Sequence, residues 1–233
     1  MPFGSLDGLK LIEINQDLYR NIVSLRISQD LFDDLSDDPA DWKAAVDLEM
    51  LHKPIQYESQ NPVINRPFED AEFISAIQFP FDNWSQSRFS RGQFGIWYGS
   101  PELETTIYET VHHWRNGFLA DTGLENMEGI SVERRIHQVY CSSAIIDLLP
   151  KKIDWPELRS GNYTHCQTLG EKLHREGHPG LWTPSARCNG TNAAMLVPRV
   201  LSNPRTHCYL TYCIEGGGVT IKRDLHSTLL RIE

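Results

Sequence analysis

Apolar residues in the first part of the chain recur at spacings close to one helical turn, with Leu18, Ile22 and Leu25 followed by Trp42, Val46 and Met50. This spacing predicts helix across residues 16–52. The acidic run DDLSDDPAD, Asp33 to Asp41, interrupts it as a solvated loop and helix N-cap. From Lys53 to Pro67 the three prolines Pro54, Pro62 and Pro67 predict an irregular connection. FISAIQF, Phe73 to Phe79, has the apolar, β-rich character of a buried strand, and Phe94 to Tyr98 that of a second strand. SPELETTIYETVHHWRNGF then predicts a helix. Ser100 is suited to cap it, Pro101 to its first turn, and Glu102 and Glu104 to its positive dipole end. Leu103, Ile107, Val111 and Trp114 form one apolar stripe, and Glu109 lies off that stripe.

Beyond Gly129 the pattern shortens. VERRIHQVYC (Val132 to Cys141) and SAIIDL (Ser143 to Leu148) read as strands, Tyr163 to Arg175 as a helix, and LWTPS, AAMLVP and CYLTYCIEG as further strands. EGGGV, Glu215 to Val219, reads as a hairpin turn, since no Lys-Ser/Thr helix follows its glycines. Strands and helices mix without regular βαβ alternation, which predicts an α+β fold. The simplest organisation is a single domain overall, with residues 1–70 as an N-terminal helical extension packed on a core of residues 71–233.

Composition narrows the function classes. With 40% hydrophobic and 23% charged residues over 233 positions, the chain is of ordinary globular make-up. The start MPFGSLDGLKLIEI lacks the basic and apolar regions of a signal peptide, and no later run is long enough to span a bilayer, so a cytoplasmic location is expected with no membrane partner. Five cysteines without a CxxC pair suit reduced, mostly buried thiols. A net charge of −9 disfavours direct nucleic-acid binding but leaves room for a small anion held by a few local cations. No metal is expected. His112 and His113 are adjacent, so a helix points them about 100° apart, and His207, Cys208 and Cys213 lack a second ligand pair.

Three segments carry candidate chemistry. In RFSRGQFGIWYGS, Arg88 and Arg91 offer planar cationic forks for phosphate and Tyr98 offers a π face to a ring. Glu109 follows Tyr98 by eleven residues, on the next helix, where its carboxylate is able to oppose positive charge developing at a breaking glycosidic bond. Ser185 sits in a turn after Pro184, without a GxSxG elbow or an identifiable His-Asp pair, and is read as a hydrogen-bonding hydroxyl.

RFSRGQFGIWYGS, ETTIYET, the helix TLGEKLHREG and GLWTPSAR, taken in this order and spacing, resemble the successive motifs of the RES domain family from about Ser87 to Tyr212. LYRNIVSLRIS, Leu18 to Ser28, is similar to the start of its longer members. The resemblance implies an ADP-ribosyltransferase-like fold of split mixed sheets with flanking helices. It also implies an enzyme that acts on NAD, as glycohydrolase or phosphorylase, with no cofactor beyond NAD as substrate. Arg88 would match the family arginine, Tyr98 the strand aromatic, Glu109 the glutamate and Ser185 the serine. Arg91 would share or exchange the phosphate role with Arg88, and Arg20 and Arg26 are left without assigned roles. The same resemblance implies the toxin of a toxin–antitoxin pair, an Xre-type antitoxin as partner, and inorganic phosphate as a second acceptor besides water. A protein ADP-ribosyltransferase and a catalytically dead RES-fold binding protein are the alternatives.

Overall fold

The longest element of the computed structural model is a strand of 17 residues, β5, Ser131–Asp147, and the rest of the sheet is arranged on it. Residues 8–24, 71–224 and 227–233 are described by the structure. β1, Lys10–Val23, runs antiparallel along β5 from Lys10 opposite Asp147 to Val23 opposite Arg134. On the other edge of β5, β8 (Leu201–Glu215) pairs antiparallel with its first half, from Ser131 opposite Cys213 to Cys141 opposite Leu201. β6 (Gly180–Pro184) takes up that same edge farther on, in parallel, through Ile146 opposite Leu181 and Asp147 opposite Trp182. β8 continues through a hairpin into β9 (Gly218–Asp224), and β9 pairs with β10 (Ser227–Ile232). β6 continues into β7 (Thr191–Met195) and β7 into β4 (Trp97–Gly99). The sheet thus divides at β5 into a larger half on β8 and a smaller half on β6. Backbone hydrogen bonds between Tyr19 and Ser100 tie the end of the smaller half back to β1. A two-stranded ribbon, β2 (Gln86–Ser87) with β3 (Ser90–Arg91), lies off this sheet. The fold is α+β.

Three helical segments cover apolar faces. α1 spans residues 71–82, with a π-helical stretch Ile74–Gln78 at its centre, and buries Ala76 and Ile77 with Ile14, Leu18, Trp97, Val139 and Ile145. α2, Leu103–His113, continues through the π-helical Trp114–Leu119 and ends at Gly123, whose φ of 71° supplies the left-handed residue that closes a helix. Its stripe of Ile107, Val111 and Trp114 packs on Ile136, Leu210, Tyr212, Ile214 and Val219. α3, Thr164–Arg175, buries Cys166, Leu169 and Leu173 against Phe89, Leu148, Leu158 and Leu181. Gly170 is required there, because a Cβ at this position would fall 1.9 Å from the carbonyl oxygen of Phe89.

Several expectations need correction. Residues 16–23 are strand, not helix, so residues 10–23 of the expected helical extension belong to the main sheet. The reason lies in the spacing itself. Ile14, Leu18 and Ile22 are four apart, which is close to one helical turn but also an even number, and an even spacing keeps residues on one face of a strand. Ile14 and Leu18 are buried on that face. The stretch Phe73 to Phe79 is helical instead of a strand. Only Ala76 and Ile77 in it are buried, and periodicity alone cannot type so short an apolar run. The two strands expected at 132–141 and 143–148 are one continuous strand, and the strand expected at 94–98 is the shorter Trp97–Gly99. The remainder of the predicted helix, the acidic loop 33–41, the connection 53–67 and Arg26 lie outside the described residues. None of the five thiols is in a disulfide; Cys141 and Cys166 are buried, whereas Cys188, Cys208 and Cys213 are partly exposed.

Candidate active site

α2 is anchored by its apolar stripe, so the face carrying Thr106, Glu109, Thr110 and His113 is turned elsewhere, into a cavity of about 280 Å³. β1 contributes Arg20 and Asn21 to the same cavity, the β2 ribbon Arg88, β4 Tyr98, and the β6–β7 hairpin Thr183 and Asn192. The site therefore lies where the division of the sheet brings β1, β4, β6 and β7 around one face of a helix.

Among the described residues Glu109 is the one acid that lines the cavity, and it is held firmly. Its Oε1 accepts a hydrogen bond from Ser185 Oγ at 2.6 Å, from Asn192 Nδ2 at 2.8 Å and from the backbone N–H of Ala186 at 3.2 Å. Among the described residues Oε2 makes no such bond, so one oxygen fixes the carboxylate and the other is available to a bound molecule. Ser185 is fully buried, and its Oγ also accepts from the N–H groups of Arg187 at 3.1 Å and Cys188 at 3.3 Å. A hydroxyl so committed acts as a brace for Glu109, not as a nucleophile. The turn is closed by Ser185 N–H donating to the Gly190 carbonyl at 2.9 Å. A Cβ on Gly190 would fall 1.8 Å from Thr105 Oγ1 on α2, so glycine allows the hairpin to approach the helix closely enough for this bracing.

The cationic side is built differently. Arg88 Nη1 donates to the carbonyls of Ser160 at 2.7 Å and Leu158 at 3.3 Å, and its guanidinium lies 4.5 Å from the centre of the Tyr163 ring. Those contacts orient it at the cavity wall. Tyr98 stabilises the turn that carries it: its hydroxyl donates to Ser87 Oγ at 3.1 Å and accepts from Phe89 N–H at 3.3 Å. Burial pushes the Tyr98 phenol up to about 12, against the opposing effect of its hydrogen bonds with Ser87 and Phe89. It stays neutral at physiological pH and presents its ring to the cavity. Arg20 Nη1 donates to the Tyr98 carbonyl at 2.9 Å, and its guanidinium lies 5.4 Å from the Trp97 ring centre. Burial, with Arg134 nearby, brings Arg20 down to about 10, so it too remains charged at neutral pH. Arg20 Nε and Thr183 Oγ1 are buried without partners among the described residues, and both residues line the cavity. Unpaired buried donors are rare in a finished fold, and their placement here suits a polar ligand.

The structure thus brings Arg88, Tyr98, Glu109 and Ser185 to one site, and it separates Arg91 from them. Arg91 is ion-paired with Glu171 on α3, donates to Thr168 Oγ1 at 3.0 Å, and is absent from the cavity wall. A role shared with Arg88 does not fit that position. Arg20, Asn192 and Thr183 were not singled out by the motifs. Arg20 was a candidate without a role, and only the β1–β5 pairing brings it here. Asn192 had no local signal, because its place follows from its register opposite Thr183 on β6.

A model of the RES domain matches residues 65–215. The chain belongs to the RES domain family. Among solved structures, a chain of the M. tuberculosis MbcT–MbcA toxin–antitoxin complex is similar at 12% identity, with 86% of each chain covered and a TM-score of 0.44. No curated protein matches. Among the described residues no helix is long and apolar enough to cross a membrane, and no group of three or more His, Cys, Asp or Glu is placed to hold a metal ion.

Proposed function

We infer that this RES domain protein cleaves the bond between nicotinamide and ribose in NAD. The observation that carries the reading is the Glu109 carboxylate, fixed through Oε1 by Ser185, Asn192 and Ala186, in a cavity that also holds Arg20 and Arg88. A substrate suited to this arrangement has an anionic part and a centre that becomes cationic as it reacts, and NAD has both in its pyrophosphate and its nicotinamide riboside. Arg88 and Arg20 would hold phosphate oxygens by charged hydrogen bonds. The ring of Tyr98 would pack on the nicotinamide or its ribose.

In the reaction, the bond from C1′ to the pyridinium nitrogen breaks with both electrons passing to the ring, so nicotinamide leaves neutral and needs no proton. The ribose becomes oxocarbenium-like, and the free oxygen of Glu109 opposes that charge. Water, or inorganic phosphate, then bonds to C1′ and passes its proton to solvent. Positioning and electrostatics supply the rate, with Ser185 holding the carboxylate rather than reacting. Family membership also supports a toxin that depletes cytoplasmic NAD and is restrained by an antitoxin of Xre type covering this cavity.

The test is to incubate the purified protein with labelled NAD, with and without phosphate. Free ADP-ribose indicates hydrolysis, its 1″-phosphate indicates phosphorolysis, and stoichiometric label on a protein acceptor indicates ADP-ribosyl transfer. Unchanged NAD under all conditions would remove the enzymatic reading. Expression of the gene alone and with its genomic neighbour, with cellular NAD measured, tests the toxin assignment.

A further inference from the structure

A second cavity, of about 200 Å³, opens beside the helix face adjacent to that of Glu109. α2 contributes Tyr108, His112 and Arg115 to it, the turn after Ser185 contributes Arg187, and the C-terminal strand contributes Ile232 and Glu233. We propose that this cavity is a binding site for a phosphate-class oxyanion, with Arg187 as its principal ligand.

The argument starts from the state of its cations. Arg115 uses Nη2 on the carbonyl of Gly217 at 2.7 Å, which positions it. Arg187 has no hydrogen bond or ion pair from its guanidinium among the described residues, and its Nε is buried without a partner. Arg187 is only partly buried, so its outer nitrogens still meet water, but a buried Nε–H without an acceptor carries a cost that a ligand oxygen would relieve. The acid closest to hand does not serve. Glu233 is 79% exposed and pairs with Arg231 at 2.8 Å, which draws its carboxylate toward solvent. His112 adds a further nitrogen donor, with Nδ1 engaged by Asn116 Nδ2 at 2.8 Å. Its imidazole is held below the ordinary range first by burial and then by Arg187 and His113, with Glu109 acting in the opposite sense. Burial first, and then the cations that face it, favour neutral His112, and an oxyanion between them would oppose that preference. Two Arg forks and an imidazole around a small volume match the tetrahedral oxygens of phosphate or of a phosphate monoester. Arg187 and Cys188 also hold Ser185 Oγ by their N–H groups, so an occupant of this cavity is one residue from the turn that braces Glu109.

Titrating the full chain with inorganic phosphate, while following the His112 ring and the Arg187 side-chain N–H by NMR, tests the site without reference to NAD turnover. A saturable shift of both, with an upward move in the His112 titration midpoint, is expected. Arg187→Gln should weaken it by roughly tenfold or more, the loss of one charged hydrogen bond, and Arg88→Ala should leave it intact. Ribose 5-phosphate, titrated in parallel, separates the sources: tighter binding than phosphate assigns the site to a monoester, equal binding to the free anion. The proposal is overturned by the absence of a saturable shift at His112, by an unaltered response in a folded Arg187→Gln protein, or by shifts that Arg88→Ala abolishes. If Arg187→Gln fails to fold, Arg187→Lys keeps the charge without the planar fork, and an unweakened response there would equally overturn it.

Discussion

In the proposed reaction Glu109 supplies the charge and Ser185 holds it in place. Replacing Glu109 by Gln keeps an oxygen able to accept from Ser185, Asn192 and Ala186 but removes the negative charge opposed to an oxocarbenium. Turnover of NAD is expected to fall about a hundredfold or more while affinity changes little, since a preorganised electrostatic contact of this kind acts mainly in the transition state. Single-turnover kinetics with equilibrium binding checks this, and near-normal cleavage would take Glu109 out of the chemistry. The arginines divide as well. Arg20→Ala and Arg88→Ala should each weaken NAD binding by roughly tenfold or more, from about 1.5–3 kcal/mol per charged hydrogen bond. Arg91→Ala should leave binding within about twofold, because its guanidinium is engaged with Glu171 and Thr168 on α3. A larger loss for Arg91 than for Arg88 in calorimetric titration would reverse the assignment.

At the scale of elements, the site depends on close approaches that only glycine permits. α3 packs on the ribbon that carries Arg88, with Gly170 against the Phe89 carbonyl. Gly170→Ala places a methyl group inside that contact, and overpacking of this kind costs about 1–3 kcal/mol. For a chain of this size the melting temperature should drop by roughly 2–4 °C per kcal/mol. NAD affinity should fall as well, because the turn from Ser87 to Phe89 has to move. Scanning calorimetry and binding on the same preparation test both, and a stability loss without an affinity loss would show that the ribbon moves independently of Arg88. α2 shows the complementary arrangement: its apolar stripe is buried by the larger half of the sheet, and its polar face meets the smaller half.

For the molecule as a whole, His137 links stability to pH. It is fully buried on β5, with Nδ1 3.3 Å from Glu72 Oε1, which also accepts from Arg135 and Thr206. Burial, reinforced by Arg135 and only partly opposed by Glu72, pushes the imidazole down to about 4. The folded state therefore binds fewer protons than the unfolded chain between that value and an ordinary imidazole value of about 6.5. The resulting stability is complete above the higher value and is lost as pH falls toward the lower. Urea unfolding at a series of pH values should show this slope, and His137→Gln should flatten it. Parallel slopes for the two proteins would assign the acid sensitivity to carboxylates instead.

The candidate site residues and their order were legible along the chain. Arg88, Tyr98, Glu109 and Ser185 stood out because their spacing and neighbours match a family pattern. α2 and α3 were legible because their apolar stripes repeat over several turns, long enough for one period to prevail over another. Other features depend on contacts between distant parts of the chain. The four-residue spacing of Ile14, Leu18 and Ile22 fits helix and strand alike, and it is pairing along the length of β5 that makes Lys10–Val23 a strand and brings Arg20 to the cavity. The Phe73 to Phe79 run is too short to carry a period, and its packing against Trp97 and β1 settles it as helix. Arg88 and Arg91 look equivalent in RFSRGQFGIWYGS, but the β2–β3 turn sends one guanidinium to the cavity wall and the other to Glu171. Local pattern records which residues share a face. Which face meets which depends on contacts between positions far apart in the chain, and these are fixed only when the fold closes.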